Sequence, residues 1–338
     1  MTDDRETSAH RRLRWGVLGT AGINDAVVPA IQASELGEVT AIASRSPAKA
    51  EEHARRFGIP TAYEGYEVLL ADPDVDAVYL PLPNHLHHPW VLRAVAAGKH
   101  VLCEKPMALT ADQAGEMRAA ADSAGVVLTE GFMYGHHPRY DRVREILRSG
   151  EIGPVRSISA AFTFDASDET GLTAFAGNPG GGALYDVGCY LLHVSRHLLE
   201  REPDAVTIAA QWSSAHGDID MLAAGMLEFG DVPVLIRCGM WAADSDVVEV
   251  IGRRGRIVLP SAFFCAEGRE GIEVHLGGQV RTELVAAPNH YSVQADDLAR
   301  AALYGESPRY PGPDAAANLT VLQACLVSAR EQRRVVLG

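Results

Sequence analysis

Leu13-Arg14-Trp15-Gly16-Val17-Leu18-Gly19-Thr20-Ala21-Gly22-Ile23-Asn24 reads as a short apolar strand that passes through a glycine-bearing turn into a helix. Glycines in such a turn let backbone N–H groups approach a pyrophosphate, and the positive helix N-terminus favours that anion. The full dinucleotide fingerprint is G-x-G-x-x-G. Here Ala21 and Asn24 stand at its second and third glycine positions. A turn of this kind is a weak signal alone, and its weight comes from what surrounds it.

Downstream, strand-like runs at 39–44, 77–82, 100–104 and 126–130 alternate with helical stretches at 24–34, 48–57, 89–97, 111–124 and 139–149. Apolar strands alternating with helices predict βαβ units and a parallel sheet covered on both faces. After Gly150 the texture changes to strand-like runs at 155–164, 205–212, 221–229, 234–241, 247–251, 256–259, 272–276 and 280–285. One helix, at 185–199, interrupts them, and two more, at 291–304 and 313–332, close the chain. The expected fold is α/β: an N-terminal Rossmann dinucleotide-binding domain over 13–135, and an α+β substrate and oligomerisation domain over 136–338 with a large, open, mostly antiparallel sheet. The closing helices are expected to pack on either domain, and residues 1–12 to form a disordered polar tail.

A length of 338 residues is consistent with two domains. A net charge of −14 argues against nucleic acid or an anionic membrane surface as partner. No apolar run approaches membrane-spanning length. The five cysteines are scattered without paired spacing, and the first residues lack a signal-peptide profile, so a cytoplasmic protein with reduced thiols is expected.

The cofactor type is read at the end of the second strand. NAD enzymes usually carry an acid near this point for the ribose 2′-hydroxyl, and NADP enzymes an arginine for the 2′-phosphate. Here the sequence is Ser44-Arg45-Ser46-Pro47, with Lys49 beyond and no acid. Guanidinium suits phosphate geometry, so NADP(H) is expected.

Of the 30 lysines and arginines only three are lysine. Lys49 and Lys99 read as solvent-facing charges. Lys105 ends the apolar run 100–104 against Glu104 and Pro106, and a lysine shifts its pKa on burial as arginine does not. It is therefore a candidate for proton chemistry.

With the glycine turn, Pro83-Asn84-His85-Leu86-His87 and Glu104-Lys105-Pro106, the chain resembles the glucose–fructose oxidoreductase / inositol dehydrogenase / rhizopine-catabolism (Gfo/Idh/MocA) family. Val101-Leu102-Cys103-Glu104-Lys105-Pro106 and Gly180-Gly181-Gly182-Ala183-Leu184-Tyr185-Asp186-Val187-Gly188-Cys189-Tyr190 are most similar to its branch of D-xylose dehydrogenases, dimeric dihydrodiol dehydrogenases and glucose–fructose oxidoreductase. NDP-sugar 3-ketoreductases are near relatives. The resemblance implies a homodimer or homotetramer built through the second sheet, and a cis Lys105–Pro106 bond. It also implies cofactor contacts from Gly19, Ala21, Gly22, Ile23, Ser44, Arg45, Lys49, Leu82, Pro83, Asn84, His87, Glu104 and Lys105.

Asp186, Tyr190 and His193 follow at i, i+4 and i+7, one face of a helix. The resemblance makes Tyr190 the acid/base. A free tyrosine titrates near 10, and a neighbouring ammonium favours its phenolate, which assigns Lys105 a supporting role. Asp186 is expected to orient Lys105 or to bind a sugar hydroxyl, and His193 to bind the sugar. The glycine run 180–182 lets backbone come close to the nicotinamide or the sugar. Met133, Tyr134 and the loop 164–178 are candidates for lining the pocket or for core. His85, His87, His88, His136 and His137 lack metal-ligand spacing, and no metal is expected.

The expected function is NADP(H)-dependent oxidoreduction of a sugar or related cyclic alcohol, of aldose 1-dehydrogenase or dihydrodiol-dehydrogenase type. The alternative is an NDP-sugar 3-ketoreductase. An NAD-dependent glycosidase, which would cleave glycosides without net cofactor change, or a non-catalytic dinucleotide-binding regulator, fits less well.

Overall fold

In the computed structural model, residues 12–166, 179–264, 270–286, 289–310 and 313–338 are described. The tail 1–11, Cys265 and residues 167–178 of the loop expected to line the pocket lie outside them. The described residues form two units. Residues 12–107, 115–131 and 291–310 make the first, and residues from 108–114, 132–290 and 313–338 make the second.

Strand β1 (Leu13–Leu18) is buried almost throughout, so it needs cover on both faces. Helices α1 (Asn24–Gln32), α2 (Pro47–Phe57), α3 (Tyr66–Leu70), α4 (Asn84–Ala96) and α5 (Ala111–Ala124) alternate with β2 (Gly37–Ser44), β3 (Thr61–Glu64), β4 (Ala77–Leu80), β5 (His100–Cys103) and β6 (Leu128–Glu130). The first unit's six strands are all parallel, in the order β3-β2-β1-β4-β5-β6. Strand order reverses beside β1, and the carboxyl ends of β1 and β4 diverge into the crevice that takes dinucleotides in such folds.

Three features depart from the sequence reading. Strand β3 and helix α3 were not expected, because an edge strand of 4 residues and a helix of 5 are too short to show periodicity. Helix α4 starts at Asn84 rather than at Pro89, and tolerates that proline in its interior. Lys99 is not solvent-facing. It is only 7% exposed, and its ammonium donates to Asp72 O and Val75 O, both at 2.7 Å, tying down the turn that leads into β4.

The second unit's sheet has nine strands. They are β7 (Val155–Asp165), β8 (Ala205–Ser213), β9 (Ile219–Phe229), β10 (Val232–Gly239), β11 (Trp241–Gly252), β12 (Gly255–Pro260), β13 (Glu270–Leu276), β14 (Gln279–Val285) and β15 (Val335–Val336). Their order is β14-β13-β12-β11-β7-β10-β9-β8-β15, antiparallel except between β7 and β10. The run 234–241 divides at Met240 because β10 and β11 flank β7 on opposite sides. Helices α7 (Cys189–Leu199) and α9 (Pro313–Glu331) pack on one face, against β7, β10 and β8. Along β10, Val234, Ile236 and Cys238 are buried while Leu235 and Arg237 are exposed, the period of two expected of a sheet covered on one side. Helix α6 (Arg139–Arg148) packs on β13.

Helix α8 (His290–Tyr304) follows the second unit in sequence, yet it rests largely on the first. Ser292 Oγ donates to Ala30 O at 2.7 Å, and Gln294 Nε2 to Glu130 O at 3.3 Å.

Candidate active site

In the first unit the chain leaves β1 at Gly19, whose φ of +122° is open to glycine and strained for other residues. A Cβ there would also lie 3.0 Å from Leu82 Cδ2. Beyond it, no described residue accepts the backbone N–H of Ala21, Gly22 or Ile23, and nothing lies within 4 Å of a Cβ built on Gly22. These unclaimed donors stand at the start of α1, where the helix dipole adds positive potential. Asn24, fully buried, replaces the third glycine and donates from Nδ2 to Gly19 O at 2.9 Å. It locks the turn to the helix that the missing glycine would only have let approach. Cradle and donors together fit the pyrophosphate of a dinucleotide.

At the end of β2, Ser44 is buried and its Oγ accepts the Ser46 N–H at 3.2 Å. Arg45 and, further along α2, Lys49 are exposed. The Arg45 guanidinium reaches the Tyr66 hydroxyl. Burial raises that phenol's pKa, and Arg45 offsets part of the rise. The Tyr66 hydroxyl also lies 4.0 Å from the Cβ position of Gly19, so it stands beside both the turn and Arg45.

The loops after β4 and β5 are joined by His87, which is fully buried. Its Nε2 is 2.7 Å from Leu82 O and its Nδ1 2.9 Å from Pro106 O. Burial pushes its pKa down to about 4, so at neutral pH the ring carries one proton for these two carbonyls. Pro83 and Asn84 follow Leu82 at the start of α4, both half-buried. Glu104 accepts the Tyr79 hydroxyl at 2.8 Å on Oε1 and the Lys105 N–H at 3.2 Å on Oε2. The Lys105–Pro106 bond is cis. Glu130 Oε1 accepts the Met107 N–H at 2.7 Å. Gly131 is closely covered, since a Cβ would lie 3.2 Å from Cys103 O and 3.3 Å from Glu104 Cα. The half-buried Lys105 thus projects from a segment pinned on both sides.

In the second unit the glycine run leads into a π-helical turn, Leu184–Gly188, followed directly by α7. Such turns are rare and concentrate at functional sites. Asp186 sits within the turn, half-buried, and Tyr190 in the first turn of α7 is 4% exposed. The Tyr190 ring is enclosed by Phe132, Phe263, Phe162 and Tyr134, with centroids 5.3, 5.4, 5.5 and 5.8 Å away. Its hydroxyl lies 3.5 Å from Met133 Sδ, a weak acceptor.

One turn on, His193 is 1% exposed and stacks on Phe132 with centroids 4.2 Å apart. Its Nδ1 is 2.5 Å from the Tyr134 hydroxyl, and its Nε2 is 2.9 Å from Asp314 Oδ2. Arg196 Nη2 reaches the other Asp314 oxygen at 2.8 Å. Burial pushes the Asp314 carboxyl upward, but His193 and Arg196 outweigh it and hold the group below the ordinary carboxylate range.

Residues 13–132 match the oxidoreductase family, NAD-binding Rossmann fold, and residues 140–258 match the GFO/IDH/MocA C-terminal domain. The chain belongs to the Gfo/Idh/MocA oxidoreductase family. It is 36% identical over 328 residues to D-xylose 1-dehydrogenase (NADP(+)) 2 of Haloferax volcanii, spanning 96% of this chain and 100% of the relative. It is 42% identical over 181 residues to mouse (Mus musculus) trans-1,2-dihydrobenzene-1,2-diol dehydrogenase, spanning 53% of this chain and 54% of that one. Among solved structures, it superposes with a TM-score of 0.88 and 32% identity on a 3-ketoreductase from Actinomadura kijaniata in complex with NADP and TDP-benzene. That match covers 94% of this chain and 98% of the other.

In this Gfo/Idh/MocA chain, two of the expected site residues are buried with their ring nitrogens against protein atoms. His193, expected to bind the sugar, has its ring nitrogens against Tyr134 and Asp314. His87, expected beside the cofactor, has its ring between the loops bearing Leu82 and Pro106. Tyr66 and Asp314 were not foreseen. Tyr66 lies in the helix too short to read, and no local pattern connects position 314 with position 193. Of the discounted histidines, His137 is buried, which pushes its pKa down to about 4, and its Nδ1 accepts the Arg139 N–H at 3.2 Å. Among the described residues no cluster of His, Cys, Asp and Glu could hold a metal ion, and no helix is long and apolar enough to cross a membrane.

Proposed function

We propose that the chain is an NADP(H)-dependent oxidoreductase acting on a sugar or related cyclic alcohol, of aldose 1-dehydrogenase or dihydrodiol-dehydrogenase type. The observation that carries the reading is Arg45 at the carboxyl end of β2, beside the turn with unclaimed N–H groups, where an NAD enzyme would have a carboxylate. The NADP(+) in the name of the Haloferax volcanii enzyme and the NADP bound to the 3-ketoreductase support it.

Ala21, Gly22 and Ile23 would hold the pyrophosphate through their N–H groups, and Arg45, with Ser44 and Lys49, the 2′-phosphate. When bound, the nicotinamide donates or accepts the hydride. Tyr190 exchanges the proton of the substrate oxygen. Its aromatic surroundings keep water from the phenol, and an unaided tyrosine titrates too high to serve as a base at neutral pH. Lys105 supplies the positive charge that favours the phenolate. Asp186 orients Lys105 or binds a sugar hydroxyl.

A second reading is reduction of a nucleotide-linked 3-keto-sugar, favoured by the match to the 3-ketoreductase over 94% of this chain. One experiment tests both: NADP+ and NADPH are offered with free aldoses, dihydrodiols and nucleotide-linked keto-sugars while absorbance of the reduced nicotinamide is followed. Turnover of an aldose or diol supports the first reading, and turnover of a keto-sugar alone supports the second. Glycoside cleavage without net change in the nicotinamide would overturn both. The exposed apolar side chains of the second sheet, Leu235, Ile251, Val280 and Leu284, fit an interface between copies of the chain in a homodimer or homotetramer.

A further inference from the structure

Asp220, the second residue of β9, is 1% exposed, and no role in the chemistry above calls for it. Its Oδ2 accepts the Leu184 N–H at 2.7 Å, at the first residue of the π-helical turn. Its Oδ1 occupies the space of a side chain at position 182, since a Cβ built on Gly182 would lie 2.1 Å from it. Gly182 also has a φ of +114°, and its carbonyl accepts the Asp186 N–H at 2.9 Å. At Gly182, then, the glycine run is required by a carboxylate of the protein itself. A negative group at the start of a helical segment is also favoured by the local dipole.

We propose that Asp220 is the positioning residue of the segment that bears Asp186 and Tyr190, fixing through Leu184 and Gly182 the point from which both side chains project. The proposal rests on the reading of Tyr190 as acid/base. The groups facing Asp220 are Tyr185 of the π-helical turn, Cys238 of β10 with Cys189 of α7 behind it, and Cys325 and Arg330 of α9. Arg330 is the only cation among them, and it lies 3.5 Å from Asp218. Burial raises the Asp220 carboxyl to about 7, against the pull of the Leu184 N–H and its own N–H. The carboxylate form, which grips Leu184 with a charge-assisted bond, is therefore gained as pH rises through neutrality. The sign for stability is opposite: a raised carboxyl favours the fold below its unfolded pKa near 4 and loses that contribution as pH climbs to about 7.

The test compares wild type with Asp220→Asn and Tyr190→Phe, using NADP+ and D-xylose as probe substrate between roughly pH 5.5 and 8.5. Asp220→Asn is expected to lower kcat about tenfold at the alkaline end, leave KM for NADP+ within about twofold, and remove the limb of the profile near neutrality. A kcat profile superposable on wild type overturns the proposal. If Tyr190→Phe is itself fully active, the acid/base reading fails instead. Hydrogen exchange over residues 183–190 of the wild type needs neither substrate nor variant. Protection, corrected for intrinsic rates, should fall as pH climbs toward about 7, because Asp220 ionises more readily once the segment opens, and a flat profile overturns the proposal.

Discussion

Replacing Asp314 by asparagine asks whether the buried His193 is held by charge. Asp314 takes His193 Nε2 on one oxygen at 2.9 Å and Arg196 Nη2 on the other at 2.8 Å, with 31% of its side chain exposed. Asparagine keeps one acceptor and turns an NH2 toward the other donor. One charge-assisted bond is lost, worth about 1.5–3 kcal/mol. The roughly 3–5 kcal/mol of a fully stripped buried pair is not reached. Arg196 still holds Glu202 at 2.5 and 2.8 Å, and water screens the exposed edge. A loss of about 2 kcal/mol is expected, or a Tm drop of roughly 4–8 °C for a unit of this size. Thermal unfolding followed by near-ultraviolet circular dichroism at neutral and acid pH measures it. The folded-state pKa of Asp314 lies below its unfolded value, so its contribution is complete above pH about 4 and drains as pH falls further. The gap between wild type and variant should therefore close on acidification. Equal Tm values at neutral pH, or a gap that widens toward acid, would refute the reasoning.

Arg45→Ala should raise KM for NADPH roughly 10–100-fold, the worth of a charge-assisted phosphate contact, and hardly change that for NADH; parallel loss with both cofactors would remove Arg45 from the 2′-phosphate. Lys105→Arg keeps the charge but changes its shape and pKa, and should lower kcat by about 100-fold or more with an unaltered circular dichroism spectrum. Normal turnover would show that any cation serves there. Lys99→Met leaves two carbonyls without their donor and should cost about 2–3 kcal/mol in denaturant unfolding, whereas a solvent-facing lysine would cost almost nothing.

The alternation of strands and helices up to position 130 was legible because each parallel strand is a continuous apolar run, and β1 matches its expected bounds of 13–18. Reading failed where burial was partial or distant. Strand β3 is half-exposed and lacks such a run. Lys99 carries nothing local to say that two carbonyls wait for its ammonium. Tyr190 and His193 could be placed together on one helix from spacing alone, but the partners of the His193 ring, Tyr134 and Asp314, are far away in the chain. The glycine run was legible as a close approach, yet what approaches Gly182 is Asp220, a residue with no sequence signature.

The chain passes between its two units after residues 107, 114, 131, 290 and 312. No single cut can therefore release either unit whole. A fragment ending at residue 131 would lack α8, and with it the bonds from Ser292 to Ala30 and from Gln294 to Glu130. The complementary fragment would carry α8 with its apolar face uncovered, and would expose Leu298 and Ala299, which the intact chain buries. On the ribosome, the dinucleotide-binding unit stays incomplete until α8 has been made, so it is finished only after every strand of the second sheet but β15 has been synthesised.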